Sequence, residues 1–167
     1  MPFPTWVPGQ VLNASDVTQW FIELVAVKSS TQAIANNTTL ANDADLVVAV
    51  VSSAVYKIEA NLIYDGGTGG SETDFKFRFT MPASATVAYG VLYFDAGGAA
   101  KDQAGTAADT LTISTGGVGV PKQLLFKALL TVAGTAGNFQ LQWAQGISGG
   151  TNTRLYQGSY LTARRVG

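Results

Sequence analysis

Apolar and polar residues alternate with a period of two along much of this chain. Tyr56, Ile58, Ala60, Leu62 and Tyr64 take every second position in one run. Phe75, Phe77, Phe79 and Met81 do so in another, with Asp74, Lys76, Arg78 and Thr80 between them. A strand with this beat sends one row of side chains into a core and the other toward water, whereas a helix would spread the same residues around its circumference. The connector Asp65-Gly66-Gly67-Thr68-Gly69-Gly70 accepts positive φ at little cost. The stretch from Val55 to Met81 is therefore expected to be an antiparallel pair with a long connection.

The same beat places strands elsewhere. Val87, Tyr89, Val91 and Tyr93 share one side of Thr86–Phe94. Phe139, Leu141 and Trp143 face inward, with Asn138, Gln140 and Gln142 outward, which makes Trp143 a core residue. Leu46–Val51 is β-branched and continuous, as in a strand covered on both sides. Leu124–Val132 is strongly apolar and is read as a strand because Pro121, Gly134 and Gly137 bracket it closely. Shorter strands are expected near Thr31–Ala35, over Leu24–Lys28 and over Thr110–Thr115, and a closing strand over Arg154–Val166. Asp95–Asp109 reads as a long loop, and Gly116–Pro121 and Gly146–Thr151 as turns. Asn13 or Ser15 caps a short helix over Asp16–Glu23, which Trp20 anchors. About nine strands and little helix predict an all-β antiparallel sandwich, with a jelly roll as the natural closed form.

Residues 1–14 differ from the rest. Pro2, Pro4 and Pro8 favour an extended chain, and Phe3, Trp6, Val7, Val11 and Leu12 make it too apolar for a free tail. An arm of this kind docks either on its own domain or on a neighbouring subunit. The expected organisation is an anchoring arm with a short helix over residues 1–22 and a jelly-roll domain over 23–167.

Composition narrows the function. The 167 residues include neither cysteine nor histidine, which excludes thiolate chemistry and removes the commonest general base and metal ligand. Ten basic and eleven acidic residues nearly cancel, and Arg164-Arg165 is the nearest approach to a basic cluster, so nucleic acid is not an expected partner. No run of about 18 apolar residues is present, so no transmembrane helix or membrane partner is expected. The start Met1-Pro2-Phe3-Pro4 lacks the features of a secretory signal, and the chain is expected to be made in a cytoplasm. Only 13% of residues are charged, against about 25% in an ordinary soluble domain. Either other protein covers part of the surface, or this is a compact β domain rich in Gly, Ala and Thr.

Candidate chemistry is sparse. Asn42, Asp43 and Asp45 carry oxygens close together, but the further acidic ligand and glycine of a calcium loop are missing, so a solvated turn is expected. The Gly66–Gly70 glycines lack the Gly-Lys-Ser/Thr of a phosphate cradle. Glu59 and Asp74 read as polar decoration of neighbouring strands instead of a hydrolytic pair. No catalytic, cofactor-binding or metal-binding residue is expected, and the protein is read as no enzyme. A sugar-binding module would need aromatics in loops 65–73, 95–109 and 146–153, which hold neither Trp nor Tyr.

The opening Trp6-Val7-Pro8-Gly9-Gln10-Val11-Leu12-Asn13-Ala14-Ser15-Asp16-Val17 resembles the start of small virion structural proteins of tailed bacteriophages, especially those of actinobacterial hosts. Those proteins often begin with an aromatic followed by a Gly-x-Val-Leu-x-Ala-x-Asp-Val run. Asn138–Gln145, Gly158-Ser159-Tyr160-Leu161 and Arg164-Arg165-Val166 are similar to their closing segments. The resemblance covers most of the chain and implies a C1q/tumour-necrosis-factor-like jelly roll, a homotrimer, a place in the virion and no catalytic residues. Its members are called decoration, minor capsid or minor tail proteins. The expected role is a trimeric capsid decoration protein bound to the major capsid protein. Phe3, Trp6, Val7, Val11, Leu12 and Trp20 would make the arm's contacts. The alternatives are a minor tail or tail-tip protein, bound to tail proteins, and a host-surface carbohydrate-binding module.

Overall fold

The structure is a computed structural model that describes residues 7–9, 11, 14, 23–67, 75–106 and 109–167. Among the described residues the elements are twelve strands: β1 (Glu23–Val27), β2 (Gln32–Ile34), β3 (Ala41–Val50), β4 (Ala54–Gly66), β5 (Phe75–Thr80), β6 (Thr86–Phe94), β7 (Ala100–Gly105), β8 (Leu111–Ile113), β9 (Gly117–Val132), β10 (Gly137–Gln145), β11 (Thr153–Leu155) and β12 (Tyr160–Arg165). The larger sheet runs β1-β12-β4-β9-β6-β7, with β11 and β2 continuing beside β4. The smaller runs β3-β10-β5-β8. Every pairing among the described residues is antiparallel.

The pairings are nested. The outermost strand β1 pairs with β12, β3 with β10, β4 with β9 and β5 with β8. The chain is thus one long hairpin of four strand pairs rolled up on itself, closed by β12 on β4 and β10 on β5. That is a jelly-roll sandwich. The hairpin β6–β7 is an insertion between β5 and β8 that widens the larger sheet beyond β9.

The period-two pattern explains the two layers. On β4, Tyr56, Ile58, Ala60, Leu62 and Tyr64 are buried, as are Phe75, Phe77 and Phe79 on β5. These two runs do not pair with each other, contrary to the expected antiparallel pair. They lie in opposite sheets and meet across the core, where the Tyr64 and Phe75 rings stack at 4.7 Å. Alternation fixes the face of a strand and leaves its partner open. Phe79 stacks on Phe139 at 4.9 Å and meets Phe126 at 4.5 Å, while Trp143 lies 5.8 Å from Phe75. Each such pair contributes about 0.5–1.5 kcal/mol beyond its burial.

Other expectations change at the edges. Asp95–Asp109 holds the strand β7, whose residues are nearly all exposed, so no apolar beat marks it. Its turn is closed by Asp95, which accepts the Ala99 N–H. The expected turn over Gly116–Pro121 is part of β9; Pro121 lies where the β4–β9 register shifts between Tyr64 and Gly66, and no ladder partner needs its missing N–H. The expected closing strand is two strands, broken at Gly158, whose φ is +85°. β3 starts at Ala41 and is covered on one face only, with Val47 and Ala49 turned outward from Leu46, Val48 and Val50. The helix expected over Asp16–Glu23 lies outside the described residues except Glu23, which opens β1.

Candidate assembly surface

The inward face of the larger sheet makes the core. Its outward face follows from the registers. One row crosses from β1 to β7 through Val27, Tyr160, Asn61, Leu125, Leu92 and Asp102. The next holds Val25, Thr162, Glu59, Lys127, Gly90 and Ala104, and the third Glu23, Arg164, Lys57, Leu129 and Ala88.

These rows contain two apolar patches. Val25, Val27 and Tyr160 are exposed at the β1 edge. Leu92, Phe94, Leu125 and Leu129 are exposed on β6 and β9. Contiguous exposed apolar surface of this kind is uncommon on a protein that works alone. The sequence cause is plain on β9: Leu124, Phe126 and Leu130 fill the core, so Leu125 and Leu129 must point away from it.

A charged stripe separates the patches. Lys57 Nζ lies 2.9 Å from Glu59 Oε1, and Lys127 Nζ lies 3.8 Å from it. The Glu59 carboxyl is held below its ordinary value, first by the Lys57 hydrogen bond, with burial opposing. Pairs this exposed contribute roughly 0–1 kcal/mol. The second patch is hollow, because Gly90 has no side chain and Ala88 and Ala104 carry only methyls. A depression of about 400 Å³ lies between Leu92, Leu125, Gln103 and Lys127. A second of about 480 Å³ continues over Ala88 and Leu129. In the first row, Asn61 Oδ1 is buried with no donor among the described residues, although buried acceptors nearly always have one.

Of the arm residues, Val7 and Val11 are 61% and 77% exposed. Phe3, Trp6, Leu12 and Trp20 lie outside the described residues. The outward residues of β1, β6 and β9 were not singled out by sequence reasoning. Their signal was present: in Val91–Phe94, and in Leu124–Leu130 apart from Lys127, both phases of the alternation are apolar.

Asn42, Asp43 and Asp45 do not form the solvated turn expected of them. Asp43 is fully buried on β3. Its Oδ2 accepts from Lys28 Nζ at 2.7 Å and from Trp143 Nε1 at 3.0 Å, and its Oδ1 accepts the N–H groups of Asp45 and Leu46, each at 3.0 Å. A lysine ammonium takes the place a cation would need. Asn42 instead accepts from Gln142 at 2.7 Å. The Ser29 backbone N–H, and then its hydroxyl, hold the Asp45 carboxyl below its usual range. A second buried carboxylate, Asp65, accepts from Arg154 Nε at 2.9 Å, Arg154 Nη2 at 2.8 Å, Tyr156 Oη at 2.7 Å and Gly119 N–H at 2.7 Å. The polar groups at this end of the sandwich bind one another, tying β4, β9 and β11.

No family model matches the chain, and no curated protein matches it. Among solved structures it is similar to the infectious bursal disease virus Gx strain, at 10% identity over 85% of this chain and 38% of that one, with a TM-score of 0.21. It is similar to the Gt strain at 6% identity over 100% of this chain and 43% of that one, TM-score 0.22. For the VP2 subviral particle of the same virus the figures are 8%, 87%, 37% and 0.21. The chain spans about two fifths of the length of these neighbours. So slight a likeness carries no functional argument, and the jelly-roll assignment rests on the strand order alone.

Proposed function

We propose that this chain is a virion structural protein: a homotrimeric decoration protein that cements the head of a tailed bacteriophage by contacts with the major capsid protein. The observation that carries this reading is the outer face of the larger sheet. The sandwich already closes its core between two sheets, yet it keeps a second apolar surface of the kind that another protein covers. The resemblance of Trp6–Val17 and of the closing segments to phage virion proteins points the same way. The C1q-like character belongs to this proposal, as does manufacture in the host cytoplasm. The arm residues Phe3, Trp6, Val7, Val11, Leu12 and Trp20 would reach the shell. The work is adhesive, with no bond made or broken, so no catalytic residue is assigned.

The test is location. Particles assembled with a gold-labelled copy are imaged. Label in clusters over the head supports the reading, and label confined to the tail or its tip transfers the chain to the tail. Absence from the particle, or binding to host glycans in its place, overturns the virion role.

A further inference from the structure

We propose that the copies join head to tail through the two apolar patches of the larger sheet: Val25, Val27 and Tyr160 of one subunit enter the hollow over Gly90 of the next. This inference rests on the reading that the chain associates with itself, and it names the surfaces.

Shape comes first. One patch carries protruding side chains on β1 and β12, and the other is a depression between Leu92 and Leu125. A protrusion cannot fill a copy of itself, so each patch needs the other. Both lie on one face at opposite ends, four strand positions apart from β1 to β6. A contact between two different patches is heterologous, and it closes into a ring when the rotation per subunit allows.

Charge points the same way. Glu23 and Arg164 border the first patch, and Asp102 and Lys127 border the second. Each patch therefore offers one cation and one anion to its neighbour. A two-fold, face-to-face dimer would instead bury the stripe of Lys57, Glu59 and Lys127 against itself, and desolvating such ions is costly. A ring leaves Lys57 and Glu59 outside the contacts and brings only Lys127, at the border of the hollow, against a neighbour.

Size sets the strength. Six strands about 4.8 Å apart span about 24 Å, and three rows two residues apart span about 14 Å, which gives a face on the order of 350 Å². Divided between two neighbours, it makes each contact a small one by the standards of specific interfaces, which bury about 1,200–2,000 Å². The ring is therefore expected to form reversibly in solution and to be reinforced on the particle.

The test uses the full chain in sedimentation experiments across a wide concentration range. The parent should pass from 17.4 kDa to three times that mass as concentration rises. V25R/V27R removes the first patch and G90R/L92R the second. Each alone should remain at the monomer mass, with an unchanged far-ultraviolet circular dichroism spectrum. Mixed in equal amounts, they should form a species of twice the monomer mass, since one intact contact remains and no ring can close. Should either arginine pair disturb the fold, Y160A and L125S serve in its place. A parent dimer, or a parent monomer at every concentration, overturns the ring. Trimers that survive in both variants overturn the assigned patches while leaving self-association intact.

Discussion

Asp43 is the residue whose loss the structure prices most clearly. D43N keeps the shape and keeps Oδ1 for the N–H groups of Asp45 and Leu46. The new amide nitrogen, however, would face two donors, the Lys28 ammonium and the Trp143 indole N–H. Lys28 is only 3% exposed, and it keeps Gln32 Oε1 at 3.2 Å and Asp45 Oδ2 at 3.5 Å. Removing one member of a buried ion pair costs about 3–5 kcal/mol, and the remaining acceptors place this case near the lower end, about 3 kcal/mol. With an m-value on the order of 1–3 kcal/mol/M in urea, the unfolding midpoint should fall by about 1–3 M. The double variant K28M/D43N removes the stranded charge and should be more stable than D43N alone. A midpoint for D43N within about 0.3 M of the parent, or a double variant less stable than the sum of the two singles, would refute the reasoning.

Three further perturbations probe the fold. F79A removes a ring that contacts both Phe126 and Phe139 and should cost about 3–5 kcal/mol in urea unfolding. G66A would place a Cβ 2.6 Å from the Thr153 backbone at a φ of +150°, and should lower the midpoint by about 1–3 kcal/mol equivalent. Burial, and then the hydrogen bond to Asp109, raise the Tyr89 hydroxyl to about 12 from 10.0. The folded state holds that proton after the unfolded chain has lost it, so the stability it supplies is full below pH 10 and disappears between pH 10 and 12. Y89F should flatten that alkaline decline in a pH series of thermal midpoints, and an unchanged slope would contradict it.

Much of the sandwich is legible in the sequence, because period-two alternation is a direct consequence of burying one face. Trp143, Phe139 and Leu141 go to the core as their phase requires. What alternation leaves open is pairing. The β4 and β5 runs look like neighbours in a hairpin, yet the jelly roll sends consecutive strands to opposite sheets. β7 is invisible because an exposed edge strand of Ala, Lys, Asp, Gln and Gly has no apolar phase. Lys28 and Asp43 lie 15 residues apart in sequence, and no local pattern announces that folding buries them together. The arm drew attention because its proline and aromatic content is unusual. The outer face went unmarked because Leu125 and Leu129 look like more core until the register shows which way they point.

The most direct test is add-back to particles assembled without this chain. The account predicts saturable binding to the head in multiples of three copies, and heads that then survive heating which bursts the bare shell. No binding, or binding that leaves head survival unchanged, would contradict it.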